Sequence, residues 1–326
     1  MGFHEIIGQE KIIKNLVMEI QKDKIGHAYI FDGPEGLGKG MMATAFAQAI
    51  LCKSFQQDAC DICSACRKVY HHNHPDMMII EPEGASIKNK QIEEFQQDLL
   101  LKPYESTKKI YILKNADQMT ISAQNRLLKT LEEPPEYGVI ILISTNINRF
   151  LPTIRSRCQV IKFNRNGEEG ILSFLQKRYQ LEREEAKILA AFSDGIIGRA
   201  IQLKESSAFL EKREATIEMM DKILNRNPLD VFSVMDFFEK YKEDIYEILD
   251  LMLVWFRDIL VLKETQNENF LMNLDKKRIL REHGYRIGYP QISHIISIIE
   301  KSKQDMKANV NFQLIIENML LNIQEV

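Results

Sequence analysis

Residues 33–40 read Gly33-Pro34-Glu35-Gly36-Leu37-Gly38-Lys39-Gly40, a glycine-rich loop between a short apolar run at 27–32 and a helix-patterned run from 39 to about 52. No other stretch limits the fold so much. A loop of the form G-x-x-x-x-G-K-[ST] joins a strand to a helix and aims backbone N–H groups and one lysine at phosphate oxygens. It belongs in an α/β protein whose sheet is mostly parallel and covered on both faces. The last position departs from the pattern: Gly40 stands where a hydroxyl would ligate Mg²⁺. Gly33, Gly36, Gly38 and Lys39 keep the cradle, and the metal ligand is missing.

The rest of the first ~165 residues alternates in the way such a sheet needs. Residues 10–22 pattern as a helix, 77–80 as a strand, 89–101 as a helix, 109–113 as a strand, 122–131 as a helix and 139–144 as a strand. Pro134-Pro135 stops the helix before them. Asn164-Arg165-Asn166-Gly167 marks a shift in composition, and beyond it only helical periodicity remains. Residues 168–181, 184–193 and about 198–206 suggest a small three-helix unit. Longer helices follow from about 208, with 245–261 placing Ile248, Leu249, Met252, Leu253 and Phe256 on one face. Residues 266–269 and 284–290 read as loops.

Four of the five cysteines, Cys52, Cys60, Cys63 and Cys66, fall in one short segment after the phosphate loop's helix. Their spacing supplies four thiolates to a tetrahedral ion such as Zn²⁺ in a closed, structural site. A redox CxxC pair is the rival reading. His71, His72 and His74 lie just downstream, as substitute ligands or as part of a polar loop.

Charge is nearly balanced, with 43 basic and 46 acidic residues in 326, which speaks against a surface coated for bulk nucleic-acid binding. No window reaches the ~18 apolar residues of a membrane span. The N-terminus lacks a signal peptide's apolar core, and the expected location is cytoplasmic.

Three further segments, in order, carry a resemblance: the strand Lys109–Leu113 ending in Lys114-Asn115-Ala116-Asp117, the helix Asn125-Arg126-Leu127-Leu128-Lys129-Thr130-Leu131-Glu132-Glu133-Pro134-Pro135, and Ser144-Thr145-Asn146 followed by Arg155-Ser156-Arg157-Cys158. With the phosphate loop and the cysteine insert, the chain resembles the AAA+ clamp-loader family of bacterial replication. The match is strong to about residue 205 and rests on architecture beyond it. The resemblance implies a three-layer α/β AAA+ domain (1–165) with a zinc-binding insertion (52–66), a small helical lid (166–207) and an all-α collar domain (208–326) that oligomerises.

The family contains gamma/tau-type motor subunits that hydrolyse ATP and a delta-prime type that does not. Motors carry Asp-Glu at the end of the third strand, to hold Mg²⁺ and polarise water; this chain has Lys114-Asn115. A cation replaces the metal ligand, and Asn115 has no basic lone pair. Together with Gly40, these losses indicate the non-hydrolysing type with no productive Mg²⁺ site. ATP or ADP binding stays open: Thr145 and Asn146 occupy the first sensor position or serve as a cap. Arg199 falls one residue late for the second sensor, a turn of about 100° on a helix.

Arg157, by the same resemblance, is an arginine finger offered to a neighbouring subunit's ATP; the alternative is that Arg155 and Arg157 cap strand ends or pair with acids. The implied partners are gamma/tau- and delta-type subunits, the sliding clamp and primed DNA. Ser86-Ile87-Lys88-Asn89-Lys90 sits where the family faces DNA, or forms a solvated charge pair. Two other readings compete: a gamma/tau-like ATPase with degenerate motifs, and a free-standing zinc-dependent nucleic-acid binder.

Overall fold

The structure, a computed structural model, describes residues 2–225, 231–265, 267–308 and 310–325. The chain divides into two compact units: residues up to Gln180 with Ser193–Ala200, and Leu181–Phe192 with Ile201 onward.

In the first unit α1 (Glu10–Gln21) precedes β1 (Ala28–Asp32), which runs through the glycine-rich loop into α2 (Lys39–Leu51). Then come α3 (Ser64–Tyr70), β2 (Met77–Ile80), α4 (Asn89–Leu99), β3 (Lys109–Leu113), α5 (Ile121–Glu132) and β4 (Gly138–Ser144). The one-turn α6 (Pro152–Arg155), β5 (Gln159–Lys162) and α7 (Glu168–Tyr179) complete it. The strands form one sheet in the order β2-β3-β4-β1-β5, and every pairing is parallel. β1 thus lies between β4 and β5, with Asp32 level with Ser144 and Lys162.

Alternation along β1 divides the core. Tyr29 and Phe31 point to one face with Leu16, Met42, Phe46 and Ile141. Ala28 and Ile30 point to the other with Ile92, Phe95, Leu127 and Leu142. Both faces are covered, which is why β1, β3 and β4 read as continuous apolar runs rather than alternating ones. Phe31 and Phe46 are fully buried, worth about 1.5–3 kcal/mol each by transfer from water.

The helices follow from their sequence. The Thr120 hydroxyl accepts the Ala123 N–H at 3.2 Å and caps α5, which buries Ala123, Leu127 and Leu131. α4 buries Ile92, Phe95 and Leu99 but ends at Leu99, short of the expected residue 101. Leu100 and Leu101 continue the apolar run yet are exposed, ahead of Lys102-Pro103, whose ring disfavours helix in the residue before it.

Among the described residues the second unit is helical: α8 (Arg183–Phe192), α9 (Ile197–Glu205), whose first turn belongs to the first unit, α10 (Ser207–Asn225), α11 (Val231–Lys240), α12 (Ile245–Thr265), α13 (Lys277–Arg286), α14 (Tyr289–Lys307) and α15 (Phe312–Glu325). α12 buries Ile248, Leu249, Met252, Trp255, Phe256 and Ile259 along one stripe. The loop expected at 284–290 is instead the end of α13 and the start of α14. Gly284 is tolerated inside α13, and Pro290 lies in the first turn of α14, where a missing N–H costs nothing. Of the loop expected at 266–269, Gln266 lies outside the described residues, and Glu268–Phe270 forms a 3₁₀ turn. Asp258, fully buried, accepts the N–H groups of Met272 and Asn273 and ties this segment to α12. Among the described residues, no helix is long and apolar enough to cross a membrane.

Candidate functional site

The loop after β1 meets three other chain segments at the carboxyl ends of the strands. Gly36 and Gly38 adopt φ of +82° and +81°, conformations open to glycine and strained for other residues. At Gly36 a side chain would also collide with the first turn of α9: an added Cβ would lie 2.7 Å from Ile196 Cγ2. The reverse holds at Gly198, whose Cβ would fall 2.8 Å from Gly36 Cα. Between them the Gly198 N–H donates to the Gly36 carbonyl at 2.9 Å. The loop is therefore backed, atom against atom, by residues 196–198.

Lys39 is buried, and its ammonium donates to the carbonyls of Gly33 and Pro34 at 2.6 Å each. Burial lowers its pKa, against the pull of the Asp32, Glu35 and Asp117 carboxylates. Position 40 is different: nothing lies within 4 Å of where a Gly40 Cβ would be. The absence of a hydroxyl there is a matter of sequence, not of crowding.

The end of β3 carries no carboxylate. Lys114 points to Glu81, 2.6 Å away, at the mouth of a polar cleft of about 330 Å³ that Asn115 and Gln118 also line. Asp117, three residues past Lys114, is buried beside the sensor position. Thr145 Oγ1 donates to its carboxylate at 3.0 Å and the Thr145 N–H at 3.4 Å. Asn146 accepts the Asn148 N–H at 3.0 Å, a local cap. The signal for Asp117 was the polar run immediately after an apolar strand. Its partner, far off in sequence, gave no such sign. Gly33, Gly36, Gly38 and Lys39 are the candidate phosphate contacts; position 40 offers no hydroxyl, while the Asp32, Glu35 and Asp117 carboxylates lie near the Lys39 ammonium.

Arg157 follows the short α6. Its guanidinium donates to the Thr153 carbonyl at 3.0 Å and lies 2.8 Å from a Glu132 carboxylate oxygen at the end of α5, about one-third exposed. Arg199 is exposed. Burial pushes the Cys158 thiol up to about 12, which keeps it a packed, unreactive side chain.

The four cysteines of the insert converge, with their sulfur atoms all within 4.8 Å of one another. Cys60 and Cys66 sulfurs are 3.9 Å apart, against about 3.8 Å for tetrahedral Zn–S bonds of ~2.3 Å. Backbone groups serve the sulfurs: Cys60 N–H points to Cys52 Sγ and Cys66 N–H to Cys63 Sγ, each at 3.4 Å. Although burial opposes it, donation from the Cys66 and Lys53 N–H groups brings the Cys63 thiol down to about 6. The donor set, spacing and N–H support fit a thiophilic tetrahedral ion. His71 and His72 are exposed, and His74 is buried with Nδ1 accepting the Asp76 N–H at 3.1 Å; none joins the cysteine cluster.

A glycine-rich loop after β1, an interior strand of a five-stranded parallel sheet, with a four-cysteine insert and a helical second unit, defines a phosphate-loop α/β protein carrying a helical domain. The chain belongs to the DNA polymerase III delta-subunit family: residues 8–167 match the model for DNA polymerase III, delta subunit, and residues 207–325 that for the delta subunit, C terminal. DNA polymerase III subunit delta′ of Bacillus subtilis is 31% identical over 97% of this chain and 96% of its own length. The delta′ subunit of Pseudomonas aeruginosa is 30% identical over 90% of each. Subunit tau of B. subtilis is 29% identical over 94% of this chain, which spans 58% of tau. Among solved structures, a DNA polymerase III gamma subunit-related protein of Thermotoga maritima superposes with a TM-score of 0.46 at 20% identity, covering 96% of this chain and 98% of that one.

Proposed function

We propose that this chain is a non-hydrolysing, delta-prime-type subunit of a DNA polymerase III clamp loader, one that helps a neighbouring motor subunit hydrolyse ATP as the sliding clamp is placed on primed DNA. The observation that carries this reading is the end of β3, where Lys114, paired with Glu81, and Asn115 stand in place of the motors' Asp-Glu. Gly40 lacks the hydroxyl that the loop pattern supplies to Mg²⁺. Hydrolysis in phosphate-loop proteins depends on such groups for orders of magnitude in rate. The kinship with delta′ subunits agrees with this. The kinship with tau keeps a degenerate gamma/tau-like ATPase as the second reading.

In this account Arg157 is the group the chain contributes: swung from Glu132, its guanidinium stabilises charge developing on a neighbour's transferring phosphate. Gly33, Gly36, Gly38 and Lys39, with Thr145 and Asn146, are the residues that would contact a bound ATP or ADP, held without turnover. Cys52, Cys60, Cys63 and Cys66 would hold Zn²⁺, whose contribution is to fix the fold of the insert. The division into an AAA+ domain (1–165), a lid (166–207) and a collar (208–326) joins gamma/tau- and delta-type partners through the collar, in the cytoplasm. ATPase of a motor subunit mixed with this chain, with and without Arg157→Ala, tests the reading. The chain alone turns over no ATP, and the mixture loses its stimulation with the variant. Turnover by the isolated chain would favour the second reading.

A further inference from the structure

We propose that the exposed face of α13 and the cleft beside it form a binding site for single-stranded DNA. At 100° per residue, Lys277, Arg278, Arg281 and Tyr285 fall within about 100° of arc and span about 12 Å along the axis. All four are exposed, Tyr285 to 90%. No aliphatic side chain of α13 is exposed, so the face offers cations and a ring rather than the apolar surface that a protein partner's core contact requires. Arg286 extends the basic edge.

Beside this face lies a cleft of about 540 Å³, lined by Leu262, Lys263, Arg281, Gly284, Tyr285 and Tyr289. Its volume is in the range of small-ligand sites, ~300–1,000 Å³. Lys263 holds its floor, donating to the Gly284 and Ile287 carbonyls at 2.6 and 3.0 Å and lying 5.3 Å from the centre of the Tyr289 ring. Two tyrosines therefore flank a cationic hollow. Cations that follow a phosphate backbone, combined with exposed rings for bases to stack on, characterise sites for single strands. In a duplex the bases are already stacked, and Tyr285 would have no partner.

The acids nearby do not cancel the charge. Glu268 is shared by Lys277 at 3.2 Å and Arg281 at 2.5 Å, Glu282 lies 3.8 Å from Arg278, and Glu264 accepts from Tyr289. Exposed pairs of this kind are worth only about 0–1 kcal/mol, and a phosphate competes with them readily.

This inference rests on the clamp-loader reading only in expecting single-stranded DNA to be at hand, and its test is separate. Full-length protein is titrated with fluorescein-labelled oligothymidylate over a range of salt, with Trp255 fluorescence checking the fold of each variant. Binding weakens with salt; Lys277→Ala and Arg281→Ala each lower the salt slope by about 1. Tyr285→Ala weakens binding about 5- to 100-fold at unchanged slope. The proposal is overturned by no binding, by equal affinity for duplex, or by Tyr285→Ala leaving affinity intact while inorganic polyphosphate competes fully. It is also overturned if Tyr285→Ala blocks assembly with motor subunits, since the face would then be a subunit contact. Weakened DNA binding by Tyr285→Ala with Arg157-dependent ATPase intact supports both readings, whereas DNA binding by the unaltered chain with no ATPase stimulation leaves this site standing and removes the other.

Discussion

Arg157 and Glu132 meet across the ends of α6 and α5, with guanidinium and carboxylate 2.8 Å apart. Thirty-five per cent of the arginine and forty-nine per cent of the glutamate side chain remain exposed, so the pair is weakly held and the guanidinium is available to a stronger anion. Arg157→Ala is expected to change stability by no more than about 1 kcal/mol, yet to reduce assembly ATPase by about 10³-fold or more. Glu132→Gln should keep the stimulation. Steady-state ATPase of the mixed subunits, beside thermal melts of this chain, separates the two effects; an Arg157→Ala assembly that hydrolyses normally would remove the finger.

Gly40 has open space around its Cβ position, so Gly40→Thr is accommodated in the first turn of α2. Leaving glycine behind in a helix favours stability by a few tenths of a kcal/mol up to about 0.5 kcal/mol. We expect an unchanged or slightly raised melting temperature and still no turnover, because Lys114 and Asn115 supply neither metal ligand nor base. Measured ATP hydrolysis by the Gly40→Thr chain alone would contradict that account of the strand end.

Zinc should be present at about one per chain, and Cys63→Ser should lower the measured metal content and affinity. Hydrogen exchange after chelation is expected to rise across residues 52–70 while β1, β3 and β4 keep their protection, since these strands are buried in the two core layers. Metal content by mass spectrometry and exchange rates check both. A redox pair would instead give a disulfide and no metal.

His283 gives a pH signature to the second unit. Trp255 Nε1–H donates to its Nδ1 at 3.1 Å and its Nε2 meets Asp221 at 3.0 Å, which selects the neutral ring with Nε2 protonated. Burial holds its pKa below the ordinary value, against Asp221 and Glu282, with Arg286 acting in the same direction as burial. A depressed histidine favours the fold fully above the unfolded pKa of about 6.5, and this contribution is lost as pH falls through it, because the unfolded chain takes up a proton first. Urea midpoints followed by Trp255, the one tryptophan, should fall between pH 7.5 and 5.5. His283→Gln should flatten that slope.

Much of this was legible in the sequence, for physical reasons that also mark where legibility stops. The turn at Gly33–Gly40, the buried strands and the amphipathic helices are local, fixed by glycine conformations and by periods of 3.6. The cysteines declared themselves by spacing within one loop. Strand order did not: β1 lies between β4 and β5, more than 100 residues along. Asp117 escaped for the same reason, since its role depends on Thr145 arriving from another strand. At 284–290, glycine and proline punctuation suggested a loop, but Gly284 sits inside α13 and Pro290 opens α14.

The contact between Gly36 and Gly198 has a consequence for how such chains diverge. Each glycine occupies the space that the other's side chain would need, and one backbone hydrogen bond joins them. Neither position is free to drift alone: a methyl group at one end demands retreat of the whole segment at the other. Among relatives that keep this approach, the two sites should be inherited as a single character, with glycine at both or a larger residue at both and the segments spread apart.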